Sequence, residues 1–322
     1  MKIAKILTSL LVLGLVFGQD RPVSTYSIVA IDKESGEMGG AVQSHWFSVG
    51  SLVLWAEPGV GIVATQSFVR PEYGPELLKL FATSSASPKF VLESLLKKDS
   101  EQNVRQIGAV NIGGESVSFT GKDCVAYASS IEGDGYAIQA NIMANPGVPE
   151  AMEKAYLSTK GSLAERLYAA LVAAENLGGD LRGKQSAAML VVPLKKVDNL
   201  LSSKIYDIRV DDSPNPLEDL NRLMRIQKAY IFANEGDILS AENRLDEALD
   251  AYNQASELYP ENVELLFWGA VILCTDGKFD IAKPMFEKIF QGNPDLKQMI
   301  PRLENHPMFP LQSETVQKIL AL

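Results

Sequence analysis

The chain has 322 residues, a hydrophobic fraction of 46% and a formal net charge of −10 at pH 7. These values predict a soluble globular protein with room for two domains, and they exclude a disordered or membrane-embedded chain. Because phosphate binding needs clustered Lys and Arg side chains, the acidic balance also indicates no nucleic-acid partner.

Residues 1–18 have the pattern of a secretion signal. Lys2 and Lys5 form a basic start, an apolar stretch "ILTSLLVLGLVF" follows, and Gly18 is small enough for the position before the cleavage point. The apolar stretch is too short to span a bilayer as a helix. No cysteine stands directly after the cleavage point, so a lipid anchor is not indicated. We predict a protein that is secreted, or periplasmic in a Gram-negative source.

From residue 25 to residue 212, blocks of predicted strands alternate with pairs of predicted helices. Apolar alternation and turn-forming residues predict the strands "STYSIVAID", "EMGGAVQS", "GVGIVATQSFV", "RQIGAVNI", "ESVSFTG", "GYAIQANIM", "QSAAMLVVPL" and "KIYDIRV". Helical spacing predicts helices in "PEYGPELLKLFATS" and "SPKFVLESLLKKD", and over 149–159 and 162–177. Helix pairs separated from antiparallel strands imply an α+β fold. We therefore predict a four-layer α/β/β/α sandwich over residues 25–212.

A second, all-α domain is predicted over residues 217–322. It follows the turn-forming stretch "DDSPNPLEDL" and contains a repeat of 34 residues, which is the tetratricopeptide period. The repeated positions are Ala248, Tyr252 and Pro260 against Ala282, Phe286 and Pro294, with Asn243 and Gly277 at the turns. Two repeats are fewer than the usual three, so "PLEDLNRLMRIQKAY" and "SETVQKILAL" are expected to supply flanking helices. An unrelated pair of helical hairpins is the alternative.

The sequence contains few residues suited to metal or cofactor chemistry. His45 and His306 are the only histidines, and neither lies in an HExxH or CxxC pattern. We therefore predict no His- or Cys-based metal site and, because no phosphate-binding glycine loop occurs, no cofactor; an all-carboxylate metal site stays open. Cys124 and Cys274 are interpreted as two buried thiols, although export would permit a disulfide.

Thr25 is the candidate nucleophile because of its position, since no serine lies in a GxSxG pattern. A threonine at a chain terminus carries its own base, because the α-amine can take the proton from Oγ1. If cleavage follows Gly18, six residues precede Thr25, and a second trimming step is needed to free that amine. The alternative is that Thr25 is an ordinary β-branched strand residue.

Several long motifs between Thr25 and Leu223 resemble one bacterial family. They are "TYSIVAIDKESGEMGGAVQSHWFSVGS", "GVGIVATQSFVRPEYGP", "FTGKDC", "YAIQANIM", "GGDLRGKQSAAMLVV" and "DIRVDDSPNPLEDLNRL". Together they look like the family catalogued as domain of unknown function 1028, DUF1028. The resemblance implies an N-terminal-nucleophile (Ntn) hydrolase fold, in agreement with the predicted layers. Members without a signal tend to start Met-Thr, so that loss of Met exposes the equivalent of Thr25; this chain differs by "QDRPVS" before it.

Six further polar residues are candidate site residues. The side-chain amide of Asn141 is a candidate oxyanion donor, and its alternative role is that of a turn former at a strand end. Asp180 and Arg182 are candidates to orient the nucleophile or to bind a substrate carboxylate, and the alternative is a structural ion pair. Candidate substrate-binding residues, with packing or strand-end placement as the alternative, are His45, Gln66 and Gln139.

The leading hypothesis is an exported amidohydrolase of Ntn type that acts on a small amide or a peptide. Thr25 would attack the carbonyl, its freed amine would be the base, and Asn141 would hold the oxyanion. The alternative is a non-catalytic exported protein whose helical half docks a protein or cell-envelope partner. Exposure of Thr25 separates the two hypotheses, because only the enzyme requires it. The sequence leaves the substrate open, and it leaves open whether the protein is a homo-oligomer.

Overall fold

The computed structural model describes residues 25–199, 203–242, 244–307 and 309–322. The predicted signal at 1–18, the stretch "QDRPVS" and Asn243 lie outside these ranges. Within them, no helix combines the length and the apolar character that crossing a membrane requires.

Ten strands in the described residues form two antiparallel sheets. They are β1 (Thr25–Asp32), β2 (Glu37–Ser44), β3 (Leu54–Glu57), β4 (Gly61–Ser67), β5 (Arg105–Asn111), β6 (Ser116–Thr120), β7 (Ser129–Gly133), β8 (Tyr136–Asn141), β9 (Ser186–Pro193) and β10 (Tyr206–Val210). The larger sheet has the order β10-β9-β2-β1-β8-β7, and the smaller sheet has the order β3-β4-β5-β6. β1 therefore lies inside the larger sheet, between β2 and β8.

The α-helices of the described residues fall into two groups along the chain. Those of the sheet region are α1 (Gly50–Val53), α2 (Tyr73–Thr83), α3 (Pro88–Leu96), α4 (Val148–Ser158) and α5 (Leu163–Asn176). Those that follow are α6 (Pro216–Ala241), α7 (Leu245–Leu258), α8 (Glu264–Thr275), α9 (Phe279–Gly292) and α10 (Ser313–Leu320). Two 3₁₀ segments lie at Gln102–Val104 and Pro294–Leu303.

The sheets and helices are stacked in four layers. The two sheets pack face to face around an apolar core that includes Val29 of β1, Ile62 of β4 and Val110 of β5. Helices α4 and α5 cover the outer face of the larger sheet, and α2 and α3 cover the smaller one. The predicted α+β class is thus confirmed, with the helix pairs on the two outer faces.

Local sequence explains why the covering helices start where they do. Ser162 caps α5, and Ser162 and Glu165 form a reciprocal capping box that satisfies backbone N–H groups of the first turn. Small and branched apolar residues then recur at helical spacing and are buried against the sheet: Leu163, Leu167, Ala170, Leu171 and Ala174. In α3, Ser87 is the N-cap and Pro88 occupies the first helical turn.

Helix α6 belongs to two cores. Near its start, Leu217, Leu220 and Met224 are buried in the core that α5 forms with the larger sheet. Near its end, Leu239 is buried among the following helices. The helix therefore packs on the sandwich with its first half and on the helical region with its second half.

The helical region keeps the 34-residue spacing in its packing. Ala248 of α7 and Ala282 of α9 are both buried, as are Tyr252 and Phe286 one turn further along. A Cβ at Gly269 of α8 would approach the ring of Tyr252 to 2.6 Å, so only glycine fits that helix crossing. The helices flanking the repeat, α6 and α10, are present as expected. The tetratricopeptide assignment itself stays a prediction.

Candidate functional site

Thr25 lies where three strands of the larger sheet reach the same edge. It is the first residue of β1, and it is paired with Ser44, the last residue of β2, and with Asn141, the last residue of β8. Its side chain is fully buried, and Oγ1 donates a hydrogen bond of 3.3 Å to Ser44 Oγ. A threonine hydroxyl and a serine hydroxyl thus face each other across neighbouring strands.

The hydroxyl of Thr25 points into the space between the two sheets. Successive residues of a strand face opposite sides, so Thr25, Ser27 and Val29 share one face. Val29 belongs to the core between the sheets, and Ser27 Oγ donates to Gln66 Oε1 of the smaller sheet at 2.6 Å. The apolar core between the sheets therefore becomes polar at the end that contains Thr25.

Two side-chain amides hold the backbone carbonyl of Thr25. Gln66 Nε2 donates to Thr25 O at 3.1 Å, and Asn141 Nδ2 approaches the same oxygen at 3.4 Å. Both nitrogens also donate to Gln106 Oε1, at 2.7 Å from Gln66 and 2.9 Å from Asn141. The first residue of β1 is consequently clamped between the two sheets.

Gln106 is the centre of this network. While Oε1 accepts the two bonds from Gln66 and Asn141, Nε2 donates to Thr120 Oγ1 at 2.9 Å and to Ala140 O at 2.9 Å. The Gln106 side chain is fully buried, so each of these groups is satisfied within the protein. One glutamine thereby fixes the orientation of the two amides that contact Thr25.

These contacts bear on the predicted role of Asn141. An oxyanion donor must direct an N–H group toward the position of the developing charge. The NH₂ group of Asn141 is directed to Thr25 O and Gln106 Oε1 instead. The geometry therefore favours a residue that positions Thr25 over one that donates to an oxyanion.

Gln139 lies two residues before Asn141 on β8, on the same face of the strand and further into the sandwich. Its Nε2 donates to Ser27 Oγ at 2.7 Å, and its Oε1 is buried with no hydrogen-bond partner among the described residues. A Cβ at Gly108 would lie 1.8 Å from that oxygen, so the glycine makes room for the Gln139 amide. The amide extends the polar cluster from the end of the sandwich toward its apolar core.

The remaining predicted residues form a neighbouring cluster with a structural geometry. The buried carboxylate of Asp180 accepts from the backbone N–H of His45 at 2.8 Å and from the backbone N–H of Arg182 at 2.9 Å. The Arg182 guanidinium pairs with the same carboxylate at 3.2 Å. Since His45 directly follows Ser44, Asp180 fixes the end of β2 beside Thr25. This arrangement corresponds to the structural ion pair, and the His45 ring is exposed.

Cys124 lies at the same end of the sandwich but is poorly suited to be the nucleophile. Its Sγ contacts Ser67 Oγ at 3.5 Å and Arg105 O at 3.4 Å. Burial raises the pKa of the Cys124 thiol, outweighing the hydrogen bonds that favour the thiolate. Because the thiolate is the reactive species, this thiol is kept in its less reactive form. Cys124 and Cys274 are both free.

Comparison with known proteins identifies the family. Residues 25–220 match the model of a family described as a family of unknown function, DUF1028. The chain belongs to the DUF1028 family. The chain is also similar to a DUF1028 protein from Silicibacter pomeroyi whose crystal structure is known. The two sequences are 29% identical and the structures have a TM-score of 0.55, and the match covers 62% of this chain and 87% of that chain. No curated protein matches.

The end of the DUF1028 match coincides with the part of α6 that packs on the sandwich. The match ends at residue 220, inside α6, and Leu217 and Leu220 are buried in the core of the sandwich. The helices from α7 to α10 lie beyond the match.

Sequence reasoning about the DUF1028 region missed Ser27, Ser44 and Gln106. Each lies on the strand face that elsewhere carries the apolar core between the sheets, as Val29, Val42 and Val110 show. The signal was a polar residue in register with apolar ones, close to a strand end.

Among the described residues, no three His, Cys, Asp or Glu side chains are grouped as metal ligands.

Proposed function

We propose that this protein is an exported amide hydrolase of Ntn type whose nucleophile is Thr25. The active form is the chain from which residues 1–24 have been removed, and the preceding segment includes the secretion signal. The Ntn and tetratricopeptide assignments are part of the proposal, as is docking of a protein or cell-envelope partner by the helical region.

One observation carries the proposal: a clamped threonine at the start of a central strand, with its hydroxyl between two sheets. Thr25 Oγ1 lies 3.3 Å from Ser44 Oγ, and Gln66 Nε2 holds the Thr25 carbonyl at 3.1 Å. A nucleophile works best when its position is fixed before the substrate arrives. The amides of Gln66 and Asn141, which Gln106 holds, fix Thr25 in this way.

The chemistry follows from a free amine on Thr25. The amine takes the proton from Oγ1, and Oγ1 attacks the amide carbon to give a tetrahedral intermediate. The C–N bond then breaks, the proton passes to the leaving amine, and the acyl group stays on Oγ1 as an ester. Water attacks that ester, releases the carboxylic acid and restores the hydroxyl. Before the reaction, Oγ1 donates a hydrogen bond to Ser44 Oγ.

Cleavage before Thr25 is essential to this mechanism. While Ser24 is attached, the nitrogen of Thr25 is an amide that cannot accept the proton. Thr25 is fully buried in the uncleaved chain, so the exposure that the enzyme requires and a non-catalytic protein does not is absent before cleavage. The proposal therefore assigns no activity to the precursor.

A small β-lactone tests the proposal without knowledge of the substrate. Oγ1 opens the lactone ring, so that one whole lactone is added as an ester, which hydroxylamine removes. A chain expressed as Met followed by Thr25 loses its Met and begins at Thr25. We expect a hydroxylamine-labile adduct at Thr25 in this chain and in its Thr25→Ser variant, and no such adduct in Thr25→Ala.

The matched control is a chain expressed as Met followed by Ser24. After loss of Met it carries a free amine and a hydroxyl, but they are displaced by one residue from the clamped position. We expect this chain to give amine adducts that resist hydroxylamine and no labile ester. Equal ester formation at both termini would overturn the proposal and leave a non-catalytic binding protein as the better account.

A further inference from the structure

We infer that the substrate carries an apolar group next to its amide bond, and that this group binds an exposed apolar rim around Thr25. The inference rests on the proposed function and adds the class of substrate. The apolar rim is defined here as the side chains of Phe47, Val125, Tyr127 and Leu181.

Three loops meet at the end of the sandwich that contains Thr25. They are residues 45–49 after β2, residues 121–128 between β6 and β7, and residues 177–185 between α5 and β9. The residue after Asn141 joins two of them: the Ile142 backbone N–H donates to Val125 O at 3.1 Å, and the Leu181 N–H donates to Ile142 O at 3.0 Å. Since Asn141 is the strand partner of Thr25, both loops lie directly beside the candidate nucleophile.

Backbone contacts also place the loops that carry the other two rim residues, Tyr127 and Phe47. The Met143 N–H donates to Tyr127 O at 3.2 Å, which holds the 121–128 loop over the end of β8. Phe47 lies three residues beyond Ser44, and the carbonyl of its neighbour Trp46 accepts a hydrogen bond from Ser186 Oγ at the start of β9. The rim residues therefore lie on loops that adjoin the ends of β2 and β8, the two strands paired with β1.

The rim side chains are exposed: 62% for Phe47, 43% for Val125, 51% for Tyr127 and 67% for Leu181. Among described residues 25–215, eight large apolar side chains are exposed, and five of them lie in these three loops. The five are Phe47, Val125, Tyr127, Leu177 and Leu181; the other three are Phe90, Ile112 and Leu157. Single exposed apolar residues are ordinary, but a cluster beside a site indicates a binding surface.

Two charged pairs near the rim are formed within the protein, while Lys122 and Asp123 of the 121–128 loop are exposed. Asp180 is paired with Arg182 at 3.2 Å, and Lys184 is paired with Glu175 at 3.6 Å. Charged groups that are neutralised by each other offer little to a charged ligand, whereas the apolar rim gains by losing water. We therefore assign the rim to an aliphatic or aromatic part of the substrate.

Three β-lactones that share one reactive ring test this inference on the chain beginning at Thr25. One bears no substituent, one bears a benzyl group, and one bears a carboxylate of similar size. The rate of hydroxylamine-labile labelling at Thr25 is measured for each. We expect the benzyl lactone to react about tenfold faster than the carboxylate lactone, since one apolar contact in a pocket discriminates by that order.

Variants connect the preference to the rim. Leu181→Ser and Val125→Ser should each lower the rate with the benzyl lactone several-fold, by about the effect of one lost apolar contact. They should lower the rate with the unsubstituted lactone by less, so that the ratio of the two rates measures what the rim contributes. Phe90→Ser is the matched control, because Phe90 is 63% exposed but lies on α3, which covers the other sheet.

The outcomes separate this inference from the proposed function. If Thr25 is labelled by none of the three lactones, both are overturned. If it is labelled by all three at equal rates, or if the rim variants change no rate, the apolar substrate class alone is overturned.

Discussion

Gln106 and Asn141 belong to different sheets and are joined by a hydrogen bond of 2.9 Å, from Asn141 Nδ2 to Gln106 Oε1. The same oxygen accepts from Gln66 at 2.7 Å. At the end of the sandwich that contains Thr25, side-chain amides therefore replace apolar packing as the contact between the sheets. Buried networks of this kind specify one arrangement when every member is satisfied.

Replacing the central amide should be costly. Gln106→Leu removes the acceptor shared by Gln66 and Asn141 and leaves two buried donors unsatisfied. Each such donor costs about 1–3 kcal/mol, so we expect a loss of that size or more in the free energy of unfolding. Denaturant unfolding of the full chain measures it. Thr120→Val, which removes one contact to Gln106 and one to Ser130 at the half-buried margin of the network, should cost clearly less.

The buried ion pair of Asp99 and Arg105 should make stability depend on pH. Arg105 Nε donates to Asp99 Oδ2 at 2.8 Å, and both side chains are buried. Burial alone would raise the pKa of Asp99, but hydrogen bonds from Arg105 and from the Glu101 backbone N–H outweigh it and lower the pKa. A lowered carboxyl pKa contributes stability at neutral pH that is lost as pH falls through the folded-state value.

We therefore expect Asp99→Asn to cost about 3 kcal/mol at neutral pH, because it leaves the buried Arg105 charge with only the exposed carboxylate of Glu101 as a partner. The difference from the native chain should narrow as the pH is lowered below about 4. Glu101→Gln is the control: its carboxylate also contacts Arg105, at 2.7 Å, but is 70% exposed, so its loss should cost below about 1 kcal/mol. A cost of Asp99→Asn that is independent of pH would be at odds with this account.

The packing of α6 predicts where the sandwich can be separated from the helical region. A fragment of residues 25–212 lacks Leu217, Leu220 and Met224, which are buried against the larger sheet and α5. Burying one such side chain stabilises by about 1.5–3 kcal/mol. We expect fragment 25–231 to unfold at a clearly higher denaturant concentration than fragment 25–212. Equal midpoints would show that α6 is dispensable to the sandwich.

The helical region offers a test of its close helix contacts. Ala282 of α9 is fully buried, so Ala282→Leu should overpack and destabilise this region by about 1–3 kcal/mol. Ala241→Leu makes the same change on the exposed end of α6 and should be nearly neutral. A thermal midpoint for Ala282→Leu that matches the control would count against the predicted repeat packing.

Much of the fold was accessible from sequence because long strands and capped helices carry strong patterns. In the strand over 25–32, successive side chains point to opposite faces of the sheet, and both faces are buried. The helices over 88–96 and 163–176 each begin at a serine N-cap. Two short strands were missed, β3 at Leu54–Glu57 and β7 at Ser129–Gly133. Four or five half-exposed residues at a sheet edge form too short a pattern to recognise, and pairing with a neighbour decides their structure.

The site was only partly accessible for a different reason. Sequence named Thr25, Gln66, Gln139 and Asn141 as candidate site residues one by one, and the structure brings them together at one end of the sandwich. Sequence could not place Gln106, because a polar residue inside a strand reveals its partners only when the second sheet is stacked on the first. Nor could it show that the Arg182 guanidinium pairs with the buried carboxylate of Asp180, because that contact depends on the folded loop.

The most direct test of the central claim is the intact mass of the protein recovered from the native exported fraction. The amine of Thr25 is the base in the proposed mechanism, so an active protein must begin at that residue. We predict a mass that corresponds to residues 25–322, with a labile β-lactone adduct at Thr25. A preparation that forms this adduct while its mass corresponds to a chain beginning at Gln19 would contradict the mechanism.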